Sequence, residues 1–192
     1  MCSGQANAHV HGSATLVATT QGVSSSTLVK VYQDYQGTWT GTHRVRVCDE
    51  RGDFVGVCKA GEFRPGTVLP FQIRLTQTAG SGTGTVLLGQ ISYTMNGAIF
   101  ESRRFVGAGS STYSAEGITF IERIGTFDAL STGTALSGSM VLTIEALGFT
   151  GHTYVESDLA NVSRTSPTVL PARAMSFTSV DDFLRGFGRE PN

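Results

Sequence analysis

The chain has 192 residues, a formal net charge of -1 at neutral pH and only 15% charged residues. This length suits one domain with a sizeable core, and the absence of a basic excess argues against a surface for nucleic-acid phosphates. The 24 glycines follow no three-residue period, which excludes collagen. With abundant serine and threonine, they favour short strands and tight turns over helices.

The N-terminal segment, residues 1–26, is small and polar, and we expect a tether or an edge segment. Within it, residues 14–18 have the composition of an edge strand. His9 and His11 lie on one face if this segment is extended, which makes them a weak candidate metal site. We expect no other metal and no cofactor.

Residues 27–166 carry the strand pattern. From Trp39 onward apolar and polar residues alternate, with His43, Val45 and Val47 on one predicted face. Turn residues recur about every ten positions, a spacing typical of all-β domains. The sequence therefore predicts an antiparallel meander of roughly eight to ten strands that forms a closed or nearly closed barrel. A β-sandwich is the alternative.

Two turns and a set of interior residues follow from the same pattern. Asn96-Gly97 predicts a type I′ hairpin turn, and residues 107–111 predict a further turn or loop. Large apolar residues at alternating positions are the candidates for the barrel interior. They are Trp39, Phe71, Ile73, Tyr93, Phe120 and Met140.

The cysteines indicate an oxidising compartment. Cys48 and Cys58 flank a loop with a central glycine that can bring the two sulfurs together. The sequence has no CxxC pair, which argues against a metal site at these cysteines. We predict a disulfide between them, and hence a periplasmic or cell-surface location.

The C-terminal tail, residues 167–192, differs from the rest. Pro167 and Pro171 interrupt strand pairing, and Ser179 is a suitable cap for a short helix that Gly186 would end. Its apolar residues are predicted to pack on the barrel's own surface or to dock on a protein partner. They are Phe177, Val180, Phe183, Leu184 and Phe187.

The sequence contains no recognisable catalytic motif. It lacks a Gly-x-Ser-x-Gly elbow. Glu101, Glu122 and Glu145 lie in predicted strands, but carboxylate chemistry depends on a separation that sequence does not give. His43 and His152 are interpreted as ordinary barrel residues. We expect a non-enzyme.

Two resemblances bear on fold and location. Gly37-Thr38-Trp39 resembles the Gly-x-Trp opening of lipocalins and related calycins, although the family's Thr-Asp pair with a downstream tyrosine is not evident. The resemblance implies that Trp39 plugs the closed end of a barrel near an arginine of the last strand, for which Arg164 is suitably placed. Cys2-Ser3-Gly4 resembles the start of mature bacterial lipoproteins, which implies a lipid anchor at Cys2 and a membrane surface as partner.

A broader likeness, to secreted β-rich proteins of environmental bacteria, supports compartment and fold and transfers no activity. Its residues are Thr38–Thr42, Cys48, Cys58, Leu69-Pro70, Leu75–Gln77 and Gly138–Thr143.

These features lead to two functional hypotheses. The first is an extracytoplasmic accessory or structural protein, anchored to a membrane and docking on a larger assembly. The alternative is a lipocalin-like carrier that holds a small apolar ligand inside the barrel. An interior filled by side chains favours the first, and an open cavity favours the second.

Overall fold

The computed structural model describes residues 12–20, 23–59, 61–100 and 102–165. The predicted lipidation site, histidine pair and C-terminal tail with its docking residues lie outside these ranges. The described ranges contain ten strands: β1 (Gly12–Thr20), β2 (Val23–Val31), β3 (Gly37–Gly52), β4 (Val68–Thr78), β5 (Ser81–Leu88), β6 (Ile91–Ile99), β7 (Arg104–Ala115), β8 (Ile118–Ser131), β9 (Ala135–Ala146) and β10 (Gly151–Thr165).

Strands β3 to β10 form a closed antiparallel barrel. Each strand pairs with the next along the chain, and β10 returns to pair with β3. The predicted all-β fold and closed barrel are confirmed. Closure pairs every barrel strand on both sides, so the barrel has no free edge. None of the helical turns in the described ranges is long and apolar enough to cross a membrane.

Strands β1 and β2 form a separate two-stranded ribbon in which Gly12 pairs with Val31 and Thr20 pairs with Val23. Val17, Val23 and Leu28 on this ribbon are exposed. The barrel itself begins at β3, after the linking residues 32–36.

The barrel interior is filled by large side chains. All six predicted interior residues are buried. Phe71 stacks on Phe127 at 5.9 Å between ring centroids, and Phe105 meets Phe127 edge-on at 6.0 Å. Since aromatic rings at such distances exclude water, the middle of the barrel is a packed core rather than a channel.

The predicted hairpin turn at Asn96-Gly97 is wrong, because β6 runs through it and pairs Gly97 with Gly82 on one side and Gly107 on the other. A Cβ on Gly97 would lie 2.5 Å from the Val106 carbonyl oxygen and 2.7 Å from the Phe105 ring. This glycine is therefore required for close packing beneath an aromatic ring and not for a turn. The predicted turn at residues 107–111 is likewise part of β7.

The sequence predicts His43, Val45 and Val47 on one face of the strand, but only His43 and Val45 share that face. The pairing of β3 with β10 shifts register between Glu156 and Ser157, and such a bulge turns the following side chains to the other face. Val47 is consequently 39% exposed, whereas Val45 is buried.

Candidate functional site

One end of the barrel is sealed by Trp39, and we call it the sealed end. The indole Nε1 donates to the Tyr35 carbonyl oxygen at 2.9 Å. The Arg164 guanidinium lies over the indole ring, with Cζ 4.5 Å from the centroid, and it also pairs with Asp34 at 2.9 Å. This is the tryptophan–arginine pairing that the resemblance to lipocalins implied.

Tyr35 closes the sealed end further. Its hydroxyl lies 2.5 Å from the Arg103 carbonyl oxygen and 2.9 Å from that of Ala129, and it accepts the Ser131 N–H at 3.0 Å. The hydroxyl thus bonds with backbone groups of the β6–β7 turn and of β8. Only 1% of Tyr35 is exposed, so its side chain is part of the packed end of the barrel.

The opposite end, which we call the loop end, is covered by residues 53–59 and 61–67. This segment contains two short 3-10 helices, Val57–Lys59 and Gly61–Phe63. The predicted disulfide between Cys48 and Cys58 is present and ties the first helix to β3. Phe54 and Val57 of the segment are buried in the core.

Hydrogen bonds hold both halves of this loop. The Cys58 N–H donates to Glu50 Oε2 at 2.7 Å, and the Thr150 N–H donates to Asp53 Oδ2 at 2.6 Å. Further along, the Gly66 N–H donates to the Val45 carbonyl oxygen at 2.8 Å. The loop is therefore a fixed roof over the barrel mouth.

A small cavity of about 30 Å³ lies beneath this roof, and we call it the cup. Space of that size holds one or two water-sized groups. Four of the residues that line it have polar side chains, namely His43, Glu62, Tyr93 and Glu122. Its apolar wall consists of Phe63, Leu69, Leu88, Ile91 and Leu142.

Glu122 is a carboxyl group held inside the apolar barrel, with 1% of its surface exposed. The Tyr93 hydroxyl donates to its Oε2, and the Tyr113 hydroxyl donates to its Oε1 at 2.7 Å. Burial raises the pKa of Glu122, while the two tyrosine hydrogen bonds act in the opposite direction. Burial and the nearby carboxylate raise the pKa of both tyrosines, so both stay protonated donors at neutral pH.

His43 shares the cup and is only 5% exposed. Neither ring nitrogen has a hydrogen-bond partner in the protein. Burial lowers its pKa to about 4, so the ring is neutral at physiological pH. A neutral imidazole offers one N–H donor and one nitrogen acceptor, and both are buried without a hydrogen-bond partner in the protein.

The surface that the cup exposes is almost entirely apolar. Both oxygens of Glu122 already accept a tyrosine hydroxyl. Nowhere in the described part of the chain do three or more histidine, cysteine, aspartate or glutamate side chains form a group that could hold a metal ion.

The six predicted interior residues lie at different levels along the barrel axis. Trp39 lies at the sealed end and Tyr93 in the cup, while Phe120 stacks on Tyr113 at 5.3 Å beside the Glu122 cluster. Phe71, Ile73 and Met140 fill the core.

Sequence reasoning missed His43 and Glu122 as site residues. The available signal was a polar residue at an inward position of an otherwise apolar alternation, as at Glu122 between Phe120 and Ile124. The alternation alone does not reveal that His43 and Glu122 meet one cavity from different strands.

Comparison with known proteins adds no assignment: no protein-family model, curated protein or solved structure matches the chain. Kinship with lipocalins stays a prediction, and function has to be argued from the cup itself.

Proposed function

We propose that this protein is an extracytoplasmic, non-enzymatic binding protein whose ligand site is the cup. The observation that carries the proposal is His43, buried in the cup wall with both nitrogens unpartnered in the protein. Burying such a group without hydrogen bonds costs free energy. A ligand that bonds to the imidazole would offset that cost.

The size of the cup sets what kind of ligand it takes. Pockets that enclose a whole small molecule have volumes of roughly 300 Å³ or more, whereas the cup measures about 30 Å³. The core on its inner side is packed with aromatic rings. We therefore propose recognition of a group of only a few atoms beneath the roof, rather than the larger enclosed ligand expected of a lipocalin-like carrier.

The proposed location outside the cytosol and the proposed lack of catalysis rest on two further observations. A disulfide is typical of proteins outside the reducing cytosol. Among the described residues that line the cup there is no serine, cysteine or lysine nucleophile. Both oxygens of Glu122 are already engaged by tyrosines, a setting for holding a ligand rather than turning it over.

Saturation-transfer NMR with a set of small amines, alcohols and carboxylates tests this proposal. Ile91→Trp fills the cup from its apolar wall, and Val68→Trp is the matched control, because Val68 is 46% exposed. We expect at least one compound class to bind wild type and Val68→Trp saturably and to lose binding in Ile91→Trp. No saturable binding, or equal binding to Ile91→Trp, rejects the cup as a site, and turnover of a bound compound rejects a purely binding role.

A second candidate function is that of an anchored accessory or structural subunit. The filled barrel interior favours it, because a packed core serves as a rigid scaffold and leaves no room for an apolar ligand along the axis. The lipid anchor would be Cys2, and the docking element would be the apolar tail from Phe177 to Phe187.

Two variants of the full gene test the accessory role. Cys2→Ser should release the protein from the membrane fraction, and deletion after Pro171 should abolish partner capture with little change in melting temperature. If deletion instead destabilises the barrel, the tail packs on its own domain. A native product that is soluble and unmodified at Cys2 contradicts the anchor.

A further inference from the structure

The two edges of the β1–β2 ribbon differ in character. In the described ranges β1 pairs only with β2, along its whole length and without a bulge. An unpaired edge presents backbone N–H and C=O groups that another strand can join, and proteins usually block it with charged residues, prolines or bulges. Gly12–Thr20 contains none of these, whereas Val23–Val31 contains Lys30. The edge of β1 is therefore the one that is open to pairing.

The barrel does not supply a strand for this edge, because each of its strands already has two neighbours in the closed sheet. A two-stranded ribbon is marginally stable in water, and three or more strands with an apolar face are more stable. Val17 and Leu28 are each 64% exposed and lie on the same face of the ribbon. Two ribbons joined edge to edge would form a four-stranded sheet on which this face is continuous.

The sequence of β1 is complementary to its own reverse about Leu16. If two copies pair antiparallel about a twofold axis at Leu16, similar residues lie opposite each other and no charges meet. The central pairs are Leu16 with Leu16, Thr15 with Val17, Ala14 with Ala18 and Ser13 with Thr19. Pairs of β-branched residues and of hydroxyl residues stabilise antiparallel strands. A twofold pairing uses the same surface on both partners and closes as a dimer.

We propose that the protein forms a symmetric dimer in which the β1 edges of two copies pair antiparallel, centred on Leu16. This inference is independent of the cup. Lys30 lies on the outer strand of each ribbon, where a lysine opposes the addition of further strands. One strand pair is small beside an obligate interface, so the dimer is reversible, with a dissociation constant of roughly 1–100 µM.

Sedimentation velocity of the full chain at about 1–300 µM, a range that spans the expected dissociation constant, tests for the dimer. Wild type should shift from monomer to dimer as concentration rises. Leu16→Lys places like charges directly opposite each other, so the dissociation constant should rise about fivefold or more. Thr27→Lys is the matched control, because Thr27 pairs with Leu16 inside the ribbon and lies on the outer strand of the dimer. Its dissociation constant should stay within about twofold of wild type.

Cysteine cross-linking tests the register without a charge change. In a Cys2→Ser background, Leu16→Cys places two cysteines opposite each other, at a Cα separation of about 4.5–5.5 Å that a disulfide can bridge. In Ser13→Cys, the control, each cysteine lies opposite Thr19 of the other copy, and the two cysteines are about 20 Å apart. Mild oxidation should give a covalent dimer of Leu16→Cys and little of Ser13→Cys.

Each other outcome overturns a defined part of the proposal. Wild type that stays monomeric rejects the dimer, and if truncation after Pro171 then permits dimerisation, the chain's own tail is the occupant of the edge. Equal weakening by Thr27→Lys rejects the β1 edge as the contact. Equal cross-linking of Ser13→Cys rejects the register centred on Leu16. A variant that begins at Tyr32 should be monomeric throughout, and a dimer of that variant would place the interface on the barrel.

Discussion

At the scale of single residues, two of the polar groups buried in the barrel differ in whether the protein satisfies their hydrogen bonds. The Tyr35 hydroxyl at the sealed end bonds with the Arg103 and Ala129 carbonyl oxygens and with the Ser131 N–H. His43 at the loop end makes none within the protein. A satisfied group stabilises the fold, whereas an unsatisfied buried one needs a further partner such as a water, an ion or a ligand.

Removing the Tyr35 hydroxyl tests its structural role. Tyr35→Phe leaves the Ser131 N–H and the Ala129 carbonyl without their buried partner, so unfolding free energy should fall by about 1–3 kcal/mol. Equilibrium urea unfolding measures the loss. In the control Tyr154→Phe the lost hydroxyl bonds only to Glu156 near the surface, and the change should stay within about 0.5 kcal/mol. Equal effects of the two substitutions would contradict the role assigned to Tyr35.

The neutral state of His43 predicts a particular acid sensitivity. In the unfolded chain the imidazole takes up a proton below about pH 6.5, but in the folded protein its pKa is about 4. The unfolded state therefore binds more protons in this window, and stability falls as the pH falls. Relative to His43→Leu, wild type should lose about 3 kcal/mol between pH 6.5 and pH 4.

Urea unfolding at several pH values in both proteins measures this difference. The raised pKa of Glu122 and that of Glu62 in the same cup contribute with the opposite sign, and because both proteins contain them they cancel to first order. Parallel curves would show that His43 titrates normally in the folded state.

At the scale of elements, the roof over the cup depends on a covalent tie. The disulfide closes a short loop, with Cys48 and Cys58 separated by 10 positions. Replacing both by serine should lower unfolding free energy by about 2–3 kcal/mol through the entropy of the unfolded chain. It should also speed amide exchange at position 58, whose N–H bonds to Glu50.

Two measurements accompany the cysteine variant. Non-reducing peptide mapping of secreted wild-type protein should recover Cys48 linked to Cys58, and free thiols there would contradict the compartment argument. Reduced wild type should match the double serine variant in urea unfolding, because both lack the same bond.

Strand packing makes a second prediction at this scale. Gly97→Ala places a methyl group against the Val106 carbonyl oxygen and the Phe105 ring, and overpacking of this kind costs about 1–3 kcal/mol. Gly125→Ala is the matched control, because a Cβ there meets nothing within 4 Å. Thermal unfolding of the two variants should show a clear loss for the first and almost none for the second; tolerance of Gly97→Ala would contradict the close packing of Gly97 beneath Phe105.

At the scale of the whole molecule, a closed barrel and a separate ribbon coexist. No strand of the ribbon pairs with a barrel strand in the described ranges, and the barrel needs no edge partner. Isolated two-stranded ribbons contribute little stability of their own. The barrel should therefore be the unit that determines the unfolding transition.

Deleting the residues before Tyr32 tests this division. Tyr32 itself packs against the core and is kept. The melting temperature of the shortened protein should lie within about 2 °C of the full chain, the shift expected for a change below about 0.5 kcal/mol. Differential scanning calorimetry measures it, and a larger loss would mean that the ribbon is part of the barrel's cooperative unit.

Local sequence patterns were enough to predict the strand class, the disulfide and most of the buried positions. These depend on local regularities: alternation places Trp39, Phe71 and Ile73 inward, and two cysteines across a short loop bridge readily. The same local reasoning misplaced a turn at Gly97, because a glycine in a turn and a glycine beneath Phe105 are identical in sequence.

The pairing of β10 with β3, the filled middle of the barrel and the cup at the loop end depend on contacts between distant parts of the chain. His43 and Glu122 lie 79 positions apart in the chain, on strands that meet only when the barrel curls round. Burial and the pKa changes that follow from it are properties of that closed surface. A sequence pattern reports which face of a strand a residue takes, whereas the site depends on which faces come together.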